Sequence, residues 1–308
     1  MTPEQLEEIA ALDGRGFLIT ADETAGDFLQ RVADTGKVYE EFEAVLAESG
    51  KVKVFDLFEV SAGCRIAPEL ADEAAQITED LYGFSVRHVP GFYLTKQVGL
   101  LWGGCLIGDP ERNFAVFLLR DAFRKKQRFL NYRREELLAH ELCHSVRHVL
   151  DEPTLEEYFA YQTSPSPLRR YLGNCFISDR DAWGFLLPVL LLPAAELLRA
   201  LWNPDFPSWI FWILAVVYPL FLLCRNFHSR RVVSKARRVL QSAGVKRVEA
   251  VLFRCTRDEL EMIGTTPAEN IRQWADERAA GSPRWQVIVK RFFQDEQLKN
   301  IEELKDEN

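Results

Sequence analysis

The chain has no C-x-x-C pair; its six cysteines (Cys64, Cys105, Cys143, Cys175, Cys224 and Cys255) are scattered. That pattern suits reduced thiols in a cytosolic compartment and argues against a disulfide framework. Met1 to Glu8 is acidic and lacks a hydrophobic run, so no secretory signal is expected. There is no internal repeat and no low-complexity segment. Positive charge is in deficit, with 38 Lys and Arg against 46 Asp and Glu and a net charge of −8. This weighs against a general nucleic-acid binder, and no nucleic-acid partner is expected. At 308 residues the chain has room for one large domain or two smaller ones.

Charge is missing locally as well. Phe206 to Cys224 runs for 19 residues without a single charged side chain, and Trp183 to Trp202 runs for 20 with only Glu196 and Arg199. About 20 apolar residues cross the ~30 Å hydrocarbon core as a helix. Only Asn203-Pro204-Asp205, a turn signal, separates the two runs. Residues 183–224 are therefore expected to form an antiparallel transmembrane hairpin. Glu196 and Arg199 are spaced to pair across one helical turn. Trp183, Trp202, Trp209 and Trp212 lie near the span ends, where amphipathic rings prefer the interface. Arg169, Arg170 and Arg180 precede the first run, and Arg225, Arg230, Arg231, Lys235, Arg237 and Arg238 follow the second. The connecting turn has no basic residue, so both flanks, and with them both termini, are expected on the cytoplasmic side.

Against this background one motif stands out. His140-Glu141-Leu142-Cys143-His144 reads H-E-x-x-H. At 3.6 residues per turn, His140 and His144 share a helix face and can converge on one metal ion, with Glu141 beside the open coordination position. Zinc brings the pKa of a water molecule to about 7, and a neighbouring carboxylate can take its proton. Tyr132 to Ala139 leads in with helix formers and no Gly or Pro, and Glu141 is the one charged carboxylate between Ala139 and Val146. A buried helix with that pattern is a poor match to a solvated surface.

Residues 1–75 read as mainly helical, with helical spacing of apolar residues over Pro3–Leu12 and Asp22–Ser49. Glu69–Tyr82 reads as a further amphipathic helix stopped by Gly83. Four short segments then read as a small sheet: Phe84–His88, Phe92–Thr95, Gly99–Ile107 and Asn113–Leu119. After the motif, Leu150 to Thr154 breaks the helix and Leu155–Tyr161 begins another. Beyond the hairpin, Val232–Ala243, Arg257–Ile263, Glu269–Ala280 and Trp285–Gln297 read as helices, with a frayed charged tail over Glu302–Asn308.

A catalytic zinc takes three protein ligands. Candidates for the third are His148, Asp151, Glu152, Glu156 and Glu157. A straight helix places His148 about 6 Å along the axis from His144 and about 12 Å from His140, too far to close the site without a bend. The carboxylates of the next helix are better placed, because that helix can fold back after the turn. Glu157 also fits a T-x-x-E capping box with Thr154, a role that would leave Glu156 as the ligand. Cys143 reads as a small buried residue, and Arg147 as the partner of a carboxylate on the next helix.

H-E-x-x-H followed by a glutamate on the next helix resembles the gluzincin group of zinc metallopeptidases, and Glu157-Tyr158-Phe159-Ala160 is similar to its E-x-F-A element. The resemblance covers roughly Asn113 to Tyr161. It implies that His140, His144 and Glu157 are the metal ligands, with Glu156 the runner-up, and that Glu141 is the general base. It also implies that Asn113–Leu119 pairs with a bound peptide by strand addition. Two features differ from the group. Only twelve residues separate His144 from Glu157, and Tyr161 stands where many members carry an acidic residue. Tyr161 or Tyr158 is a candidate to stabilise an oxyanion.

The expectation is an α+β, mainly helical chain in four parts. Residues 1–75 form a helical region, 76–178 a zincin-like catalytic domain, 183–224 the hairpin and 225–308 a cytosolic helical domain. The function expected is a membrane-anchored zinc metallopeptidase acting on a cytosolic or membrane-proximal polypeptide. The alternative is an inactive zinc-binding membrane scaffold or sensor whose C-terminal helices bind a protein partner or a second copy.

Overall fold

The computed structural model describes residues 1–55, 57–94, 102–109, 114–129 and 131–293. Thr2 starts α1 (Pro3–Gly14) with a capping box: its hydroxyl accepts from the Gln5 amide, and the Gln5 side chain accepts from the Thr2 amide. Helix α2 (Ala25–Ser49) starts at Thr24 and ends at Gly50, whose φ of 70° is the left-handed stop that glycine supplies cheaply. The region is not helical throughout. Strands β1 (Lys51–Val54) and β2 (Phe58–Ser61) form an antiparallel hairpin that buries Val54 and Val60. Four residues per strand is too short for alternation to be read with force. Helix α3 (Pro68–Tyr82) ends at Gly83.

Among the described residues the central sheet has three strands, β3 (Gly91–Leu94), β4 (Gly104–Asp109) and β5 (Phe114–Arg120), in the order β3-β5-β4. β3 runs parallel to β5, and β4 runs antiparallel to it. β5 is the buried centre and β4, among the described residues, an edge. Phe84–His88, expected as a strand, joins no ladder among the described residues; the Ser85 amide bonds instead to the Gly14 carbonyl. Thr95, 99–101 and Asn113 of the expected strands lie outside the described residues. A short turn of helix, α4 (Ala122–Lys125), and a two-residue hairpin of β6 (Arg128–Phe129) and β7 (Tyr132–Arg133) lead into the motif helix α5 (Arg134–Arg147). The chain reverses at Asp151, which takes φ 48°, and enters α6 (Pro153–Tyr161), then α7 (Pro167–Leu172).

Helices α8 (Asp179–Leu201) and α9 (Trp209–Ser242) are both long and apolar enough to cross a membrane, and their most apolar windows are only 6% and 11% buried. A core helix of a soluble protein would be mostly covered. The charges of the first run are satisfied at the hairpin tip. Glu196 accepts from Ser208 Oγ (2.9 Å) and Trp212 Nε1 (2.7 Å), and Arg199 lies 3.5 Å from its other oxygen. At the opposite end Asp181 and Arg225 pair at 2.6 Å.

Helix α9 does not stop at Cys224. Its 34 residues extend about 51 Å, and no Gly or Pro after Pro219 interrupts it. Val233, Ala236 and Leu240 on its last third are buried in the main core with Leu138, Leu142 and Val146 of α5 and Leu155 and Phe159 of α6. The same core takes in α10 (Val248–Phe253), α11 (Arg257–Thr265), α12 (Ile271–Gly281) and α13 (Pro283–Phe292). α10 was not expected from sequence. Buried ion pairs brace this assembly: Arg254 with Asp13 of α1 at 2.8 Å, and Arg284 with Glu259 at 2.7 Å. Residues 294–300 of the last expected helix and the tail 302–308 lie outside the described residues.

Candidate metal centre

Leu138, Leu142 and Val146 are buried along one side of α5, which fixes the rotation of the helix. His140, Glu141 and His144 consequently face the space between α6 and β4. The Nε2 atoms of His140 and His144 are 3.2 Å apart. Glu157 of α6 brings one oxygen to 3.6 Å from His140 Nε2 and the other to 3.4 Å from His144 Nε2. Donors about 2.0–2.1 Å from a tetrahedral ion stand about 3.3 Å from one another. The three side chains thus form a group that could hold a metal ion, and its spacing fits.

The helix cap decides which glutamate enters this group. Glu152 caps α6, accepting from the Thr154 amide at 3.3 Å and from the Thr154 hydroxyl. Pro153 then takes the first helical position, where its missing N–H costs nothing. Thr154 is already inside the helix, so the T-x-x-E capping box does not form and Glu157 is free. Glu156 does not join the three donors. One of its oxygens lies 3.3 Å from His144 Nδ1 and the other 3.2 Å from Arg147 Nε. Such a carboxylate behind a histidine ligand fixes the ring's tautomer and orientation.

Arg147 pairs with a carboxylate of the next helix, as expected, and is fully buried. It also donates to the carbonyls of Phe253 and, at 3.1 Å, Cys255, and its guanidinium sits 4.5 Å from the centre of the Phe159 ring. Asp151 and Glu152 serve the turn and the cap. His148 is exposed, stays out of the group and bonds to the Ser145 carbonyl at 3.0 Å. Cys143 is a small buried residue.

Electrostatics sharpens the division of labour. As three side chains alone, His140 is pushed down to about 4 by burial and by neighbouring His144. Burial opposes the charge on His144 too, but the carboxylates of Glu156 and Glu157 outweigh it and lift the ring to about 10. A proton on His144 thus occupies the electrostatic place of a cation. Burial raises the carboxyl of Glu141. Its Oε2 accepts from the Leu106 amide of β4 at 2.9 Å, so it stands beside the histidines without joining their carboxylate partner.

The expected peptide-pairing strand needs correction. β5 lies between β3 and β4, so neither of its edges is free to add a strand. The strand facing the site is β4. Arg120 bonds to the Gly103 carbonyl on one side of it, and by antiparallel alternation the Leu106 amide points away from β5, where it meets Glu141. A cleft of about 300 Å³ adjoins this edge, lined by Trp102, Tyr132, Leu137, His140, Glu141 and Tyr161 among others. The Tyr161 ring meets His140 edge-on at 4.6 Å, and burial raises its phenol. Tyr158 is buried elsewhere, its hydroxyl accepting from Arg237 at 3.2 Å, so of the two tyrosines only Tyr161 lines the cleft.

No protein-family model, curated protein or solved structure matches this chain. Two features of the site escaped sequence reasoning: the Leu106 amide and the orienting role of Glu156. Pro153 at the first helical position was the available signal for the second.

Proposed function

We propose that the chain is a membrane-anchored zinc metallopeptidase of zincin-like, gluzincin-type architecture. One observation supports this most: three donors of the His₂Glu type stand 3.2–3.6 Å apart, with a separate glutamate between the histidines in sequence. His140, His144 and Glu157 would hold zinc, which when bound supplies Lewis acidity and a water molecule of near-neutral pKa.

The remaining work falls to the chain. Glu141 accepts the water proton and delivers it to the leaving amine. Its raised pKa moves it toward the value such a shuttle needs. Tyr161 is placed to donate to the developing oxyanion. A peptide lying along β4 would pair with the outward amides and carbonyls of Gly104, Leu106 and Gly108, Glu141 releasing the Leu106 amide as it turns to the water. Helices α8 and α9 anchor the protein. The basic residues beyond both span bases, against none in the connecting turn, support a cytoplasmic site and cytoplasmic termini.

Elemental analysis of purified protein tests the metal. One zinc per chain is expected, lost in His140→Ala. A protein that carries zinc but cleaves no member of a peptide library would instead be the scaffold or sensor.

A further inference from the structure

The apolar surface of the hairpin continues past the spans. Leu168, Tyr171 and Leu172 of α7 and Phe176 just after it are 66%, 45%, 37% and 41% exposed, and Phe227 of α9 is 58% exposed. A soluble surface rarely gathers so many large apolar side chains in one stretch. Their level along α9 is set by hydrogen bonds. Arg225 bonds to the Cys175 carbonyl, Asn226 to the Tyr171 carbonyl and Arg230 to the Arg170 carbonyl, each at 2.8 Å. Arg230 is six residues beyond Cys224, about 9 Å along the helix. The headgroup layer adds about 5–7 Å to each face of the hydrocarbon core. The Cys175 and Tyr171 carbonyls are therefore held about 1.5–3 Å past the apolar run, at headgroup depth, and the Arg170 carbonyl at about 9 Å, at the outer limit of that layer.

Charge agrees with that placement. In a chain of net charge −8, Arg170, Arg180 and Arg231 are exposed around this level, while Lys235 and Arg238 lie about 17 and 21 Å along α9 from Cys224, on the aqueous side. The acidic residues of the same stretches are Asp179 and Asp181, and Asp181 is already paired with Arg225. The other side of α7 builds the cleft. Arg169 bonds to the Asn131 carbonyl at 2.8 Å and to Ser164 Oγ at 3.1 Å, pairs with Glu136 at 2.7 Å and lies over the Tyr132 ring. Tyr132, Glu136 and Ser164 line the cleft with His140 and Glu141. One helix, about 10 Å thick, thus separates the apolar outer face from the site.

We propose that α7 and Phe176 lie in the headgroup layer of an anionic leaflet, and that the cleft acts on the juxtamembrane segment of a membrane-anchored polypeptide. This rests on the membrane-anchored peptidase reading. The segment works as an interfacial helix: its apolar face enters the boundary while the arginines beside it meet anionic lipid. A substrate tethered in the same leaflet gains effective concentration that a soluble peptide lacks.

The test places a benzophenone side chain at Leu168, Leu172 or Leu214 of the full chain in phosphatidylcholine–phosphatidylserine vesicles. Lipid cross-linking is expected at all three. If Leu214 labels lipid and the α7 positions do not, the interfacial helix is wrong while the anchor stands; no labelling at Leu214 removes the anchor itself. In the second arm, the exposed double change Leu168→Glu with Leu172→Glu is expected to slow cleavage of a lipid-tethered peptide about tenfold. Cleavage of the same peptide free in solution should be unchanged. Equal rates on both peptides in wild type and variant would overturn the substrate class.

Discussion

Glu156 stands 3.3 Å from His144 Nδ1, on the ring nitrogen opposite the one that faces Glu157. The two neighbouring glutamates therefore do different jobs. Glu156→Gln is expected to weaken zinc binding about 10–100-fold, as loss of an orienting partner does. Glu157→Gln exchanges the anionic donor for a neutral, weaker amide oxygen and should abolish stoichiometric zinc. Competition with a chromogenic chelator measures both. Equal effects, or the reverse order, would contradict the assignment of Glu157 as the ligand.

Arg147 carries this arrangement into the C-terminal helices, since it holds Glu156 at 3.2 Å and donates to the Phe253 and Cys255 carbonyls. Arg147→Ala leaves two buried carbonyls without their donor and Glu156 with His144 as its remaining partner. A loss of about 3–5 kcal/mol is expected, the usual cost of breaking a buried charged network. Denaturant unfolding of the metal-free protein in detergent measures it. A change below about 1 kcal/mol would mean that solvent reaches the site.

The pH dependence of zinc binding follows from the histidines. His144, lifted to about 10, is protonated in the metal-free protein over the neutral range, while His140, pushed down to about 4, is not. Zinc must displace one proton. Its affinity should therefore rise about tenfold per pH unit as pH rises between the two values, and weaken as pH falls. Calorimetry in two buffers of different ionisation enthalpy reads the proton directly; a pH-independent affinity would be inconsistent with this pairing.

Tyr161→Phe keeps the ring against His140 and removes only the hydroxyl. Zinc content should be unchanged and kcat should fall about 10²–10³-fold, the cost of losing an oxyanion donor. A KM effect with normal kcat would assign Tyr161 to substrate binding alone.

Local spacing made part of this site legible. The i and i+4 interval placed His140 and His144 together, apolar periodicity located α1, α2 and α3, and the two nearly uncharged apolar runs located both long helices. Glu156 and Glu157 are neighbours on a helix, so either could face the histidines until the cap is known; Glu152-Pro153 is what sets it. The edge position of β4 depends on the parallel pairing of β3 with β5, which no local pattern encodes. The β1–β2 hairpin was too short to read. Continuity of α9 could have been read from the lack of any Gly or Pro between Cys224 and Val232. The tie from Arg147 to Phe253 spans 106 positions and is purely tertiary.

The central claim is that Glu141 works on a water molecule at a metal held by its neighbours. The most direct test is Glu141→Gln in the zinc-loaded full chain, with zinc content and peptide cleavage measured on the same preparation. Full zinc occupancy with cleavage reduced by about 10³-fold or more is the result predicted. Full occupancy with undiminished turnover would contradict it.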